Sequence, residues 1–257
     1  MAIRQKMSPD LKFALVTLTQ AGEIALKYYG SNTPIELKEN DSPVTRADLE
    51  CEQFIRDKIS QAFPSYGVLG EEYGGEKENR DSTWVIDPID GTKSFVRGVP
   101  LFGMLLGLQR EGKPTLGVAH FPALKETAWA EIGSGAYFNG KRTSVSNVSN
   151  IKNALLLSGS INSILENDRM AGYLMLALQS GITRTWCDAY GHVMVATGRA
   201  EIMLDPAVKI WDTCALMPIV LESGGTFTDF AGNEKHDSGN VISTNKHLLP
   251  LVLETFK

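Results

Sequence analysis

The order of apolar patterns along the chain predicts an α+β protein built as two layered halves. Three observations carry this: two amphipathic helical stripes near the start, a series of short apolar runs between turn residues, and a second part in which strand and helix patterns take turns. The first stripe opens at Ser8-Pro9-Asp10, which supplies an N-cap, a first-turn proline and an acidic first turn. It runs through Leu11, Leu15, Leu18, Ala25, Leu26 and Tyr29 to Gly30. The second opens at Thr45-x-x-Asp48, a capping box with aspartate in its third position, and continues through Cys51, Phe54, Ile55, Ile59 and Ala62 until Pro64. Apolar runs follow at Val68-Leu69, Trp84 to Ile86, Met104 to Leu108, Leu116 to Phe121 and Thr127 to Ala130. With Glu111-Gly112 and Asn139-Gly140 as turn signals, they read as strands joined in antiparallel hairpins.

Beyond Ser144 to Asn150 the rhythm changes. A strand at Ala154 to Ser158, a helix around Arg169 to Gln179, a strand near Thr183 and a helix from Ala189 to Ala196 alternate. Strands at Ile202-Met203, Thr226-Phe227 and Val241-Ile242 then flank a helix starting near Asp212, and Asn245 to Phe256 closes the chain as a helix. The expected division is therefore 1–146 and 147–257, with no linker composition to separate the halves. With 257 residues, 43% of them hydrophobic, the chain can bury a large core. A net charge of -5 with scattered basic residues gives no footprint for nucleic acid. Cys51, Cys187 and Cys214 suit neither a disulfide framework nor a zinc site, which points to a reducing, cytoplasmic setting; no apolar run reaches membrane-spanning length.

Chemistry concentrates at Trp84-Val85-Ile86-Asp87-Pro88-Ile89-Asp90-Gly91-Thr92. An apolar strand runs into two carboxylates, and Pro88 holds the exit extended, so that Asp87, Asp90 and the carbonyl of Ile89 can turn toward one point. Hard oxygen donors of this kind suit Mg²⁺. Gly91 and Thr92 then offer backbone N–H groups where a phosphate can sit. Leu69-Gly70-Glu71-Glu72 sets further acids just after a strand, so Glu71 can complete the cluster, and Asp212 stands before the apolar helix Cys214 to Leu221. Each acid also has an ordinary reading: Asp-Pro and Asp-Gly are turn pairs, and Asp48 and Asp212 are good helix caps.

Taken together, Asp87 to Thr92, Gly70-Glu71-Glu72, Val44 to Asp48, the glycine-rich Gly133 to Gly140, Val195 to Gly198, Trp211-Asp212 and Glu222-Ser223-Gly224-Gly225 resemble the inositol monophosphatase superfamily of metal-dependent phosphatases over almost the whole chain. The resemblance implies a five-layered αβαβα sandwich, assembled as a homodimer, with metals at the junction of the halves. It implies Glu71, Asp87, the Ile89 carbonyl, Asp90 and Asp212 as ligands of about two or three Mg²⁺ ions. Gly91 and Thr92 would contact phosphate, and Asp48 would pair with the Thr92 hydroxyl, orient it and help take a proton. The expected reaction is metal-assisted in-line attack of water on a small phosphate monoester, with no covalent enzyme intermediate.

Lys93 to Gly98 and Cys187-Asp188-Ala189-Tyr190-Gly191-His192 depart from the usual inositol phosphatase pattern and look like the histidinol-phosphatase branch, as does Gly198 to Pro206. Asp188 and Asp205, beside the leaving group, could pair with the ammonium and imidazole of L-histidinol phosphate, although each could instead be a cap or turn residue. Inositol-1-phosphate is the alternative substrate. A sugar bisphosphate or nucleotide 3'-phosphate would need a second set of cations, for which Lys93, Arg97 and Arg184 are loose candidates. A non-catalytic regulatory module would predict eroded ligands or a basic surface, and neither occurs. The four histidines are dispersed, leaving only His192 near the expected pocket.

Overall fold

The structure, a computed structural model, describes residues 7–30, 35–37, 43–75, 81–186 and 188–257. Cys187 and residues 1–6 lie outside the described residues. The first stripe forms α1 (Pro9–Tyr28), whose first turn is closed by Ser8 Oγ accepting from the Leu11 amide at 3.0 Å. Its buried face is Leu11, Ala14, Leu18, Ala21 and Ala25; Leu26, expected in the stripe, is exposed because it sits one residue, about 100°, round from Ala25. A short pair, β1 (Ile35–Leu37) and β2 (Pro43–Thr45), leads into α2 (Arg46–Ala62), where the capping box of Thr45 and Asp48 is formed. Both helices pack on one face of a seven-stranded sheet.

That sheet runs in chain order: β3 (Gly67–Gly70), β4 (Ser82–Asp90), then, after the short α3 (Thr92–Val96), β5 (Gly103–Arg110), β6 (Lys113–Phe121), β7 (Glu126–Glu131), β8 (Ala136–Phe138) and β9 (Lys141–Arg142). The expected antiparallel pairing holds from β4 onward, with α3 rather than a tight turn between β4 and β5, but β3 pairs parallel to β4, with Gly70 opposite Ile86. Parallel pairing leaves Glu71 at the same end of the sheet as Asp87, whereas an antiparallel strand would send it to the far end. The strand expected at Trp84 to Ile86 also runs on through the acids. All nine residues of β4 are buried, as expected for a strand covered on both faces. A bulge falls between Asp87 and Asp90, where Pro88 has no amide to contribute to the ladder.

The second sheet has the order β11 (Ile182–Arg184), β10 (Leu155–Ser158), β12 (Ile202–Asp205), β14 (Val241–Thr244), β13 (Thr226–Thr228). Its first three strands are parallel and the last two join antiparallel. Between the sheets lie α6 (Asp188–Ala196), the single turn α7 (Ile210–Thr213) and α8 (Leu216–Glu222). On the outer face of the second sheet lie α4 (Ile161–Glu166), α5 (Met170–Gln179) and α9 (Leu249–Glu254). The result is the five-layered αβαβα sandwich. The closing helix is shorter than Asn245 to Phe256, because Asn245 Oδ1 takes the amides of His247 and Leu248 and so forms a turn. Glu222 clamps the glycine-rich segment by accepting from the amides of Gly133 and Gly135 at 2.8 and 2.6 Å.

One packing feature brings the layers together at the site. Gly107 and Gly117 are cross-strand partners on β5 and β6, and the junction of α7 and α8 rests on them. A Cβ on Gly117 would fall 1.8 Å from the Ala215 carbonyl oxygen, and one on Gly107 would fall 2.5 Å from Cys214 Sγ. The glycine notch thus lets the turn bearing Asp212 approach the sheet at backbone distance. Gly117→Ala is expected to cost about 1–3 kcal/mol in thermal or denaturant unfolding, with loss of activity, since the carbonyl it meets is backbone and cannot swing aside.

Candidate active site

The bulged end of β4 presents Asp87 and Asp90, and α7 lowers Asp212 onto them from the facing layer. One carboxylate oxygen from each lies within 4.8 Å of the others. Asp87 and Asp90 are 1% and 8% exposed, and Asp87 Oδ1 is buried with no hydrogen-bond partner. Burial first, and then mutual repulsion, push these acids toward their protonated forms. Asp87 is raised well above the usual carboxylate range by burial together with Glu71, Asp90 and Asp212. Asp90 is raised likewise by burial with Asp188 and Asp212, and Asp212 is raised to about 7, chiefly by burial. A cluster of this kind is costly unless a cation sits in it. The hard oxygen donors and the orphaned Asp87 oxygen therefore fit a divalent metal ion.

The surrounding cavity, about 260 Å³, is lined by nearly every residue expected from the sequence: Glu71, Asp87, Ile89, Asp90, Gly91, Thr92, Asp188, Asp205 and Asp212. Glu71 is located by its own amide, which donates to Ile86 O at 3.2 Å. Gly91 caps α3 with φ +77°, and a side chain there would crowd Leu101 O and Asp188 Oδ2, both 3.1 Å from the Cβ position. The first amides of α3 have no carbonyl within the helix to bind.

Two details differ from the sequence reading. Asp48 does not line the cavity, and its Oδ2 accepts from both the amide and the hydroxyl of Thr45, at 2.8 and 2.6 Å. The Thr92 hydroxyl donates to Ile89 O at 3.1 Å, so the implied Asp48–Thr92 bond is not the one formed; the capping geometry of α2 holds Asp48 back. Burial nevertheless raises Asp48 to about 6, against the opposing pull of its Thr45 bonds. The cap of α6 also comes from elsewhere: Asp90 Oδ2 accepts from the Ala189 amide at 2.9 Å, across 99 residues. Asp188 opens the helix in the left-handed region, φ +56°, on the cavity wall. A non-glycine residue in that region is a strained choice typical of functional positions.

Asp205 accepts only a long bond, 3.5 Å, from the Ala207 amide, and burial with the charges of Asp188 and Asp212 raises it well above the usual range. His192 lines the cavity from its buried floor, with Nδ1 2.7 Å from Ser243 Oγ. Burial lowers its pKa to about 3, so it is neutral. Lys93 is the one basic side chain among the described residues of the wall; Arg97 and Arg184 are not part of it. Sequence reasoning missed Gly159, Ser160 and Ser163, which line the cavity after β10, and Glu52, which is fully buried behind Glu71. The only signal for Glu52 was an acid three residues before Ile55, beside the apolar stripe of α2.

A largely buried carboxylate triad that could hold a metal ion, set in a five-layered sandwich with helix-turn amides beside it, is the arrangement of a phosphate-ester hydrolase. The chain belongs to the inositol monophosphatase family, whose family model matches residues 6–257. It is accordingly a phosphatase, a phosphoric monoester hydrolase. It is 39% identical to a histidinol-phosphatase of Chlorobaculum parvum over 93% of each chain. It is 34% identical to one of Mycobacterium tuberculosis over 92% of this chain and 93% of that one. Among solved structures it resembles the extragenic suppressor protein suhB from Bartonella henselae, with a TM-score of 0.92 at 28% identity, covering 97% of this chain and 99% of that one. Among the described residues, no helix is long and apolar enough to cross a membrane.

Proposed function

We propose that the protein is a Mg²⁺-dependent phosphatase that hydrolyses L-histidinol phosphate to L-histidinol and phosphate, a step of histidine biosynthesis. The observation that carries this reading is the pair Asp188 and Asp205 on the cavity wall together with the triad, where Lys93 is the one basic side chain among the described residues. A leaving group carrying an ammonium and an imidazole suits such a wall, and half-buried carboxylates hold cations more firmly than exposed ones do. The similarity to two histidinol-phosphatases supports the same reading. Inositol-1-phosphate is the second reading, since both carboxylates can also accept hydroxyl hydrogen bonds. Among the described residues of the wall, one lysine does not make a site for a second phosphate, which weighs against bisphosphates. Free, buried Cys51 and Cys214 agree with a cytoplasmic setting, and the resemblance to the family with a homodimer.

In this reading Glu71, Asp87, the carbonyl of Ile89, Asp90 and Asp212 hold the metal. Bound there, Mg²⁺ stabilises charge on the phosphoryl and leaving oxygens and acidifies water. The chain does the rest. The first-turn amides of α3 receive the phosphate oxygens. Glu71 and Thr92 orient the attacking water, and Glu71 accepts its proton, with Asp48, protonating near pH 6 and electrostatically coupled to Glu71, as the onward acceptor. As the new P–O bond forms, the P–O bond to the alcohol breaks, and the alkoxide leaves toward Asp188 and Asp205 and takes a proton from solvent.

The test is phosphate release from L-histidinol phosphate and inositol-1-phosphate side by side, with Mg²⁺ and with a chelator. Higher kcat/KM on histidinol phosphate, lost on chelation, is expected. Equal rates on both esters would sink the substrate assignment, and activity indifferent to chelation would sink the metal assignment. Asp188→Asn should lower kcat/KM for histidinol phosphate about 10–100-fold while changing inositol-1-phosphate by no more than about threefold, the difference a charged hydrogen bond makes.

A further inference from the structure

Behind the cavity lies an ion pair whose two residues are not among those that line it. Glu52, on α2, is 0% exposed, and its carboxylate receives three donors: Arg56 Nε at 2.8 Å, the Glu72 amide at 2.7 Å and the Tyr73 amide at 3.2 Å. Arg56, 21% exposed, turns its other arm to the carbonyl of Gly74 and lies 5.9 Å from the centre of the Tyr73 ring. The turn after β3 is thus gripped at two amides and one carbonyl by two side chains one helical turn apart on α2.

The strand end is shaped to admit this carboxylate. A Cβ on Gly70 would fall 2.0 Å from Glu52 Oε1, so only glycine lets Glu52 reach the amides beyond it. Gly70 also donates to Gly74 O at 2.9 Å, and Glu71 donates to Ile86 O, which makes Glu71 the one residue between the paired strand and the gripped turn. A buried ion pair is weak evidence for stability on its own, since desolvation offsets most of its attraction. One whose every oxygen is spent on the backbone of a ligand-bearing turn has another use.

We propose that Glu52 and Arg56 are positioning residues: they fix the 71–74 turn so that the Glu71 carboxylate faces the metal-binding triad. The proposal rests on the reading of Glu71 as a metal ligand. It makes α2 an orienting element for the site, since one side of its first turn carries Asp48 and the next turns carry the pair that sets Glu71.

The test compares Glu52→Gln, Arg56→Met, Glu71→Gln and the Glu52→Gln/Glu71→Gln double variant in the full chain. Three readouts are taken: Mg²⁺ binding without substrate by calorimetry, the Mg²⁺ dependence of phosphate release, and hydrogen exchange at the Glu72 and Tyr73 amides. Glu52→Gln should weaken Mg²⁺ binding about 10-fold, as loss of an outer-shell partner does, and speed exchange at both amides, while kcat at saturating Mg²⁺ falls by no more than about threefold. In the Glu71→Gln background the same change should add nothing to the loss of Mg²⁺ affinity. Unchanged Mg²⁺ affinity in Glu52→Gln, or losses that add in the double variant, would overturn the proposal. If Glu52→Gln does not fold, Arg56→Met decides: a drop in Mg²⁺ affinity of about threefold supports the grip, and none refutes it. A Glu71→Gln variant with parental Mg²⁺ affinity would refute the ligand reading of Glu71 itself, an outcome distinct from the others.

Discussion

Asp90→Asn is expected to lower phosphate release at saturating Mg²⁺ by about 10²–10³-fold, the scale on which loss of one preorganised electrostatic group at a reaction centre is felt. At the same time the metal-free protein should become more stable. Asp90 is buried with Asp87, Asp188 and Asp212 around it, so an uncharged amide removes repulsion from the cluster. Asparagine Oδ1 can still accept the Ala189 amide, so the bond that ties α6 to the first sheet is kept. The pairing of a lost reaction with a raised melting temperature separates a functional carboxylate from a structural one. Near-normal turnover, or a melting temperature that falls, would remove Asp90 from the metal site.

The second large effect is on pH. An aspartate in an unfolded chain loses its proton near 3.8, whereas Asp212 in the folded protein keeps it to about 7 and Asp48 to about 6. Between those limits the folded state binds more protons than the unfolded state. The stability of the metal-free protein therefore falls as pH rises through this window. Each tenfold difference in proton affinity between the folded and unfolded states is worth about 1.4 kcal/mol, so the loss between about pH 4 and pH 7 is of the order of a few kcal/mol, or several degrees in melting temperature. Mg²⁺ binds the deprotonated carboxylates, so its stabilising effect should grow over the same range. Melting curves at pH 5, 6 and 7.5, with chelator or with Mg²⁺, measure both slopes. A flat metal-free profile, or a Mg²⁺ shift that shrinks with pH, would show that the cluster is not protonated as described.

Part of the site's legibility came from short-range rules. Ser8-Pro9 and Thr45 with Asp48 marked two helix starts that the structure keeps, because a cap is decided by residues two or three apart. Asp87 and Asp90 stood out because an apolar run leads into both. Each alone reads as an ordinary turn residue, and their role as ligands rested on that local chemistry together with the resemblance to the family motifs. Asp212 was not separable from a helix cap on sequence, and in the structure it is one as well: its Oδ2 accepts the Lys209 amide at 2.7 Å. Local pattern cannot report that such a cap also faces two acids more than 100 residues earlier in the chain.

The sequence alone determined where helices begin, which faces are apolar, which stretch carries the acids, and, through several motifs in order, the family. Tertiary structure alone decided that β3 lies parallel to β4, so that Glu71 reaches the end of the sheet where Asp87 and Asp90 stand. It decided that Gly107 and Gly117 form a notch for the turn of Asp212, that Asp90 caps α6, and that Glu52 grips the turn beyond Gly70. The reason is one of range. Caps, turns and periodicity are set by neighbours along the chain, whereas these contacts depend on which backbones approach closely after the layers have packed, and a glycine or a buried acid leaves no periodic trace of its partner.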